Sequence, residues 1–272
     1  MRHHSPYVCP IRTTEKKRGI FVRKVITYSI VCGFILASLI YDANSPILAL
    51  NSTNISGNSV LPTEKLKETV NTEIDGKYLW VFPKNNYLLY PRLQIKNTLL
   101  SKFPTIKKIN ISASLGNSLS VSVEERKPFA VWCDGLEKEE CYFLDDSGFV
   151  YSEAPDFSGS AYFKYYGFIN DNPVGKIYGS SESFAKINSF VNSLKKINIM
   201  PMSLRVDEEN DVFVKVSPSG EVILNLNGDL KTSFENLQSV LNSLDTGIKV
   251  ATSTKYKFDY IDLRFGDKVF VR

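Results

Sequence analysis

Residues 25–41, VITYSIVCGFILASLIY, form a run of 17 residues without a charge. Wound as an α-helix, such a run spans about 26 Å, close to a bilayer hydrocarbon core of about 30 Å. Phe21 and Val22 extend it if Arg23 and Lys24 reach outward to the headgroups. Seven basic residues and one acid lie in residues 1–41, a net charge of +6, whereas the remaining 26 basic and 28 acidic residues net −2. No Lys or Arg follows the apolar run until Lys65. An asymmetry of this kind places residues 1–24 in the cytoplasm as a basic tail, residues 25–41 in the membrane and the following 231 residues outside. A cleaved leader fits less well. Its apolar region is ordinarily about 7–15 residues, and Pro46 follows the small-residue site Ala43-Asn44-Ser45. A nucleic-acid binder would carry its basic patch on the folded part, which here is slightly acidic.

After the apolar run, 46–55 reads as an extended segment closed by Gly57-Asn58. A helix opens at Pro62-Thr63, with Leu66, Val70 and Ile74 on one face, and a second spans 92–102 before Phe103-Pro104. Ile109 and Ile111, then Leu119, Val121 and Val123, alternate with polar neighbours as in strands with one buried face. The order over residues 46–125 is thus β-α-α-β-β. From Pro128 the pattern is strand-rich: 129–133, 142–144, 149–151 and 162–168, with a turn at Asp145-Asp146-Ser147-Gly148. A helix at 181–197 buries Phe184, Ile187, Val191 and Leu194. Val212, Val214 and Val216 oppose Val222, Leu224 and Leu226, and a further helix starts at the capping-box pattern Thr232-x-x-Glu235. The chain ends in strand over 256–271. The expected class is α+β in two modules, 46–125 and 126–272, the second built on a mostly antiparallel sheet.

The side chains narrow the chemistry. His3 and His4 are the only histidines, both before the apolar run, so residues 42–272 have no histidine for a Ser-His-Asp or Cys-His mechanism or a zinc site. No GxSxG, GxGxxG or Walker pattern occurs. Asp207, Glu209 and Asp211 are spaced like the first ligands of a calcium loop, but Val212 stands at the glycine position and Pro218 at the twelfth. Asp145 and Asp146 are adjacent, so on a strand end they point apart, and they suit a turn better than acid–base work. Ser183 and Lys186 sit one helical turn apart, as many surface pairs do. Three N-x-S/T sequons, at Asn51, Asn54 and Asn110, matter only where a glycosyltransferase exists. Cys9 precedes the apolar run and Cys32 lies in it. Cys133 and Cys141 flank a charged loop at a spacing that suits opposing hairpin strands, where they could close a disulfide or remain thiols. No catalytic, cofactor or metal site is expected.

Several segments resemble one family in its own order. Ile55-x-Gly57-Asn58 follows the anchor. Pro104-x-Ile106-x-x-Ile109 leads to Leu119-x-Val121-x-Val123-Glu124-Glu125-Arg126-Lys127-Pro128-Phe129-Ala130. Next come Phe143-Leu144-Asp145-x-x-Gly148-x-Val150-Tyr151 and Ala154-Pro155, and finally Tyr260-Ile261-Asp262-Leu263-Arg264-Phe265-Gly266-Asp267-Lys268-Val269. The series resembles the FtsQ/DivIB family of bacterial cell-division proteins, which joins a POTRA domain to a β domain. The resemblance implies a POTRA-like domain at 46–125 and an FtsQ-type β domain at 126–272. It further implies a single-pass inner-membrane protein at the division septum that binds FtsB- and FtsL-type and other division proteins, acts in septal peptidoglycan synthesis and has no catalytic activity. A partner strand would add near the C-terminal edge, at Arg264, Phe265, Gly266, Asp267, Lys268, Val269 and Phe270. The competing expectations are that this last strand lies inside its own sheet, and that the chain is a POTRA-bearing secretion or assembly factor binding polypeptides by strand addition.

Overall fold

A computed structural model describes residues 13–114, 116–135, 139–157, 161–169, 172–244 and 258–272. His3, His4, Cys9 and the start of the expected last strand at 256–257 lie outside them. The chain divides into two compact units, Met1–Leu99 with Ile109–Val123, and Leu100–Lys108 with Glu124–Arg272.

The first unit begins with α1 (Thr13–Ala43), which is longer than the expected 25–41. Its stretch Phe21–Ala43 is long and apolar enough to cross a membrane, and none of it is buried against the protein. At 23 residues the stretch spans about 35 Å. Then follow β1 (Ser52–Ser56), α2 (Thr63–Ile74), the short strands β2 (Lys77–Tyr78) and β3 (Phe82–Pro83), α3 (Arg92–Lys102), β4 (Ile106–Ser114) and β5 (Ser118–Glu125). The β-α-α-β-β order holds, with a small hairpin between the helices. The sheet runs β1-β5-β4, with β1 parallel to β5. Leu119, Val121 and Val123 are buried, as their alternation requires, together with Leu66 and Val70 of α2 and Ile95 and Leu99 of α3. Gly57 has φ +82, and a Cβ there would come within 2.2 Å of the Val123 carbonyl oxygen, so only glycine fits.

The β2–β3 hairpin turns through Tyr78-Leu79-Trp80-Val81, closed by Val81 N–H to the Tyr78 carbonyl at 3.1 Å. Leu79 and Trp80 both have positive φ, 47° and 67°. That is the type I′ pattern, which strongly prefers Asn-Gly. A left-handed backbone costs an ordinary L-residue about 1–2 kcal/mol. The missing Asn-Gly is why the sequence gives no sign of a hairpin here.

The second unit is built on a nine-stranded sheet in the order β14-β13-β12-β11-β10-β9-β6-β7-β8. Its strands are β6 (Ala130–Cys133), β7 (Cys141–Leu144), β8 (Val150–Glu153), β9 (Lys164–Gly167), β10 (Met200–Val206), β11 (Asp211–Ser217), β12 (Glu221–Asn225), β13 (Tyr260–Phe265) and β14 (Lys268–Val271). Five of the eight neighbouring pairs are antiparallel. Of the three parallel pairs, β9–β10 is bridged by the crossover helix α4 (Ser181–Lys196) and β12–β13 by α5 (Leu230–Leu244), while β6 pairs parallel with β9. Both helices cover one face, and Phe190 meets Phe234 edge to face between them. The core gathers Val212, Val214, Val216, Val222 and Leu224 beneath Phe184, Ile187, Val191 and Leu194. The expectation of an α+β chain with an apolar N-terminal helix and a mostly antiparallel sheet is met.

Candidate functional site: the β13–β14 margin of the sheet

The two ends of the large sheet differ. At the β8 end, Val150 N–H donates to the Lys176 carbonyl at 2.9 Å and Gly175 N–H to the Val150 carbonyl at 2.8 Å, so a following segment caps that edge. At the other end, β14 pairs with β13, and among the described residues no further strand pairs with it.

The hairpin that makes this edge turns at Gly266-Asp267, between the opposed residues Phe265 and Lys268. Gly266 has φ +63 and Asp267 does not share it, the pattern of a type II′ turn, which calls for glycine first. The Asn236 side-chain amide of α5 donates to the Gly266 carbonyl at 2.9 Å and ties the turn to the helix.

Register then decides which side chains emerge. Ile261 opposes Val271 and Asp262 opposes Phe270, but Phe265 opposes Lys268, so Leu263 and Arg264 share one position on β14. This is a β-bulge. Strict alternation from Ile261 and Leu263, both buried under the helices, would send Phe265 to the same side. The extra residue reverses that and puts Phe265 on the opposite face, beside Phe270. Their rings sit 5.3 Å apart at 85°. They remain 55% and 50% exposed.

The Asp262 carboxylate fastens the bulge. It accepts from Arg264 N–H at 3.1 Å, which satisfies the backbone of the extra residue, and from the Arg264 guanidinium at 2.6–3.2 Å. The same guanidinium bridges to Asp211 of β11 at 2.5 Å, and Asn225 donates to Asp211 at 2.7 Å. Burial works against ionisation of Asp211, but the Asn225 and Arg264 bonds outweigh it and hold the carboxyl below its usual range. Hydrogen bonds to Asp262 and then to Asp211 raise the Arg264 pKa further, so this group is a cation at every working pH.

The backbone pattern follows from antiparallel pairing. Arg272 and Tyr260 exchange N–H···O bonds, with Arg272 N–H to the Tyr260 carbonyl at 3.1 Å. Hydrogen-bonded and non-hydrogen-bonded pairs alternate along such a ladder. Phe270 therefore directs its N–H and C=O toward β13, whereas Val269 and Val271 direct theirs outward. The margin thus carries a row of outward donors and acceptors with a half-exposed aromatic pair on one face. Chemically it can accept a strand, while the Val269 side chain packs against the core.

The seven residues singled out from sequence, Arg264–Phe270, fall together on this hairpin. Sequence reasoning did not place Asp262, Asp211 or Val271 at this edge; Asp211 was singled out only for its calcium-loop spacing. The available signal for Asp262 was its charge, two residues before Arg264 in a strand whose other residues are apolar or aromatic.

The other candidates are structural. Asp207 accepts from Glu209 N–H and Asp211 N–H at 3.1 and 2.8 Å and makes a turn. Asp145 is buried, pairs with Arg126 and accepts from Ser147 and from Phe149 N–H. Ser183 N–H is bonded by the Ser180 N-cap hydroxyl, and Lys186 pairs with Glu182. Cys133 opposes Cys141 at a non-hydrogen-bonded position, Cα atoms 4.2 Å apart and the sulfurs joined. Glu139 lies close to both sulfurs, but a disulfide leaves no thiolate to ligate a metal. A groove of about 910 Å³ opens on the helix-free face, lined by Tyr166, Arg205, Phe213, Lys215, Glu139 and Glu221. Burial opposes the ionisation of Glu139, yet Lys164 and Tyr166 hold its carboxyl below the usual range. A general acid near neutral pH needs the opposite shift.

No protein-family model matches the chain. It is 22% identical over 185 residues to the cell division protein FtsQ of Geotalea daltonii, an alignment covering 66% of this chain and 63% of that protein. The match therefore spans just under two thirds of that relative's length. The chain is thus distantly similar to a cell division protein FtsQ.

Proposed function

We propose that this FtsQ-like chain is a non-enzymatic scaffold of the division machinery. It is held in the cytoplasmic membrane by α1 with its N-terminus inside, and works by accepting a strand from an FtsB- or FtsL-type partner along β14. The observation that carries the proposal is the β14 margin, which no further strand pairs among the described residues, with the backbone N–H and C=O groups of Val269 and Val271 directed outward and Phe265 and Phe270 half exposed beside it. Strand addition supplies affinity through main-chain bonds and specificity through the side-chain sites flanking them. The distant similarity to a cell division protein supports the process, and the apolar helix preceded by a basic cluster supports the anchoring. The absence of histidine from residues 42–272 fits a protein that binds rather than catalyses.

Val269→Pro is the decisive substitution, because it removes an outward N–H while leaving those that bond β13. Co-purification of the full chain with its FtsB-type partner should be lost in this variant while its melting transition stays cooperative. Native-strength capture by a normally folded Val269→Pro protein would overturn the proposal.

A further inference from the structure

We propose that the Tyr78–Val81 turn is a membrane foot: Leu79 and Trp80 enter the headgroup region of the outer face of the bilayer that α1 spans. This rests on α1 being a transmembrane anchor.

Trp80 is 93% exposed and Leu79 82% exposed. In water, a β-turn whose two central residues both have positive φ selects Gly, Asn and Asp, which carry little apolar surface and little backbone penalty. Here two large apolar residues occupy those positions, unfavourable both in backbone and in exposure. A lipid interface reverses the second cost, and tryptophan is the residue most at home there.

Hydrogen bonds fix the turn at the right height. Asn44, one residue beyond the end of α1, donates from its side-chain amide to the Ile40 carbonyl of the helix at 2.8 Å and to the Val81 carbonyl of the turn at 3.2 Å. The buried Asn86 donates to the Ala43 carbonyl at 2.8 Å. Leu50 N–H donates to Asn85 at 2.6 Å and Tyr87 N–H to Leu48 at 2.8 Å, so the chain leaving the helix is laced to the base of the hairpin. The apolar stretch ends at Ala43, so a group bonded to Asn44 lies at the level of the headgroups. Lys77 and Lys84 flank the tip, and the Lys84 ammonium lies 5.8 Å from the centre of the Tyr78 ring. Cations at that level meet lipid phosphates. A single helix leaves the attached module free to tilt and spin, and a second contact would set its orientation.

The test uses the full chain reconstituted in vesicles of phosphatidylethanolamine and phosphatidylglycerol. The chain has two tryptophans, and Trp132 is buried, so the difference between wild type and Trp80→Phe isolates the Trp80 emission. Lipids brominated near the headgroup end of the acyl chain should remove most of that emission, which should be blue-shifted and little touched by aqueous acrylamide. Free quenching by acrylamide with no effect of bromine would overturn the foot, and protection from both quenchers would also overturn it by showing that protein covers the turn. Release of the chain by alkaline carbonate would refute the transmembrane span, and the foot with it. Retention after carbonate with no lipid quenching refutes the foot alone.

Discussion

Replacing Phe265 by alanine isolates the side-chain part of the proposed interface. A phenylalanine can bury roughly 150–250 Å². With 55% of Phe265 exposed in the free chain, on the order of 100 Å² is left for a partner to cover. At about 25 cal/mol per Å² that area is worth about 2.5 kcal/mol. Part of the ring's packing with Phe270 survives in the free protein, so the loss in binding should fall between about 1 and 3 kcal/mol, the range of an interface anchor. This corresponds to a Kd raised roughly 5- to 150-fold. The folded state loses less, because the ring caps a surface hairpin rather than filling the core, and removing its edge-to-face contact costs about 0.5–1.5 kcal/mol. The assay is titration of residues 46–272 against the proposed FtsB-type partner, with thermal melts run alongside. A Phe265→Ala protein that melts normally and binds with wild-type Kd would refute the assignment of this face to the partner. An equal loss in stability and affinity would show instead that the ring only supports the hairpin.

Arg264→Ala leaves the carboxylate of Asp262 and its bulge without their main partner, and should lower unfolding stability by about 1–3 kcal/mol. Lysine should restore little, since one ammonium cannot serve Asp262 and Asp211 as the fork does. Asp145→Asn should destabilise most near neutral pH. Burial works against the Asp145 charge, but Ser147, Phe149 N–H and Arg126 together hold its folded pKa below normal. Its stabilisation is therefore complete above the unfolded value of about 3.9 and fades as pH falls through the lower folded one, so denaturant midpoints of wild type and variant should converge below about pH 4. Replacing Cys133 and Cys141 by serine opens a short loop and should cost up to about 2.5 kcal/mol by loop entropy. Partner binding should be unchanged, because six strands separate β7 from β14.

Much of the fold was legible in the sequence because burial imposes a period. Leu119, Val121 and Val123, and likewise Val212, Val214 and Val216, announce strands with one wet face, and Phe184, Ile187, Val191 and Leu194 announce a helix. Strand β10 was not legible. Its register slips between Pro201 and Ser203, and Leu204 and Val206 are its only buried side chains, too short a signal to recognise. Helix α5 starts at Leu230, ahead of the Thr232 capping pattern. Asp229 receives the Lys231 N–H at 3.0 Å and the Thr232 hydroxyl at 2.7 Å and is the actual cap. At the candidate site, the segment could be found from its alternation and its family resemblance. The face on which Phe265 emerges could not, because it depends on a bulge held by the Asp262–Arg264 contact, and one extra residue reverses the parity of everything beyond it.

Site-resolved amide hydrogen exchange along β14, with and without the proposed FtsB-type partner, tests strand acceptance most directly. The outward N–H groups of Val269 and Val271 should exchange rapidly in the free protein and become protected in the complex, while Phe270, already bonded to β13, should be protected in both. Protection at Val269 and Val271 in the free chain, or none gained on binding, would contradict an open sheet margin that a partner completes.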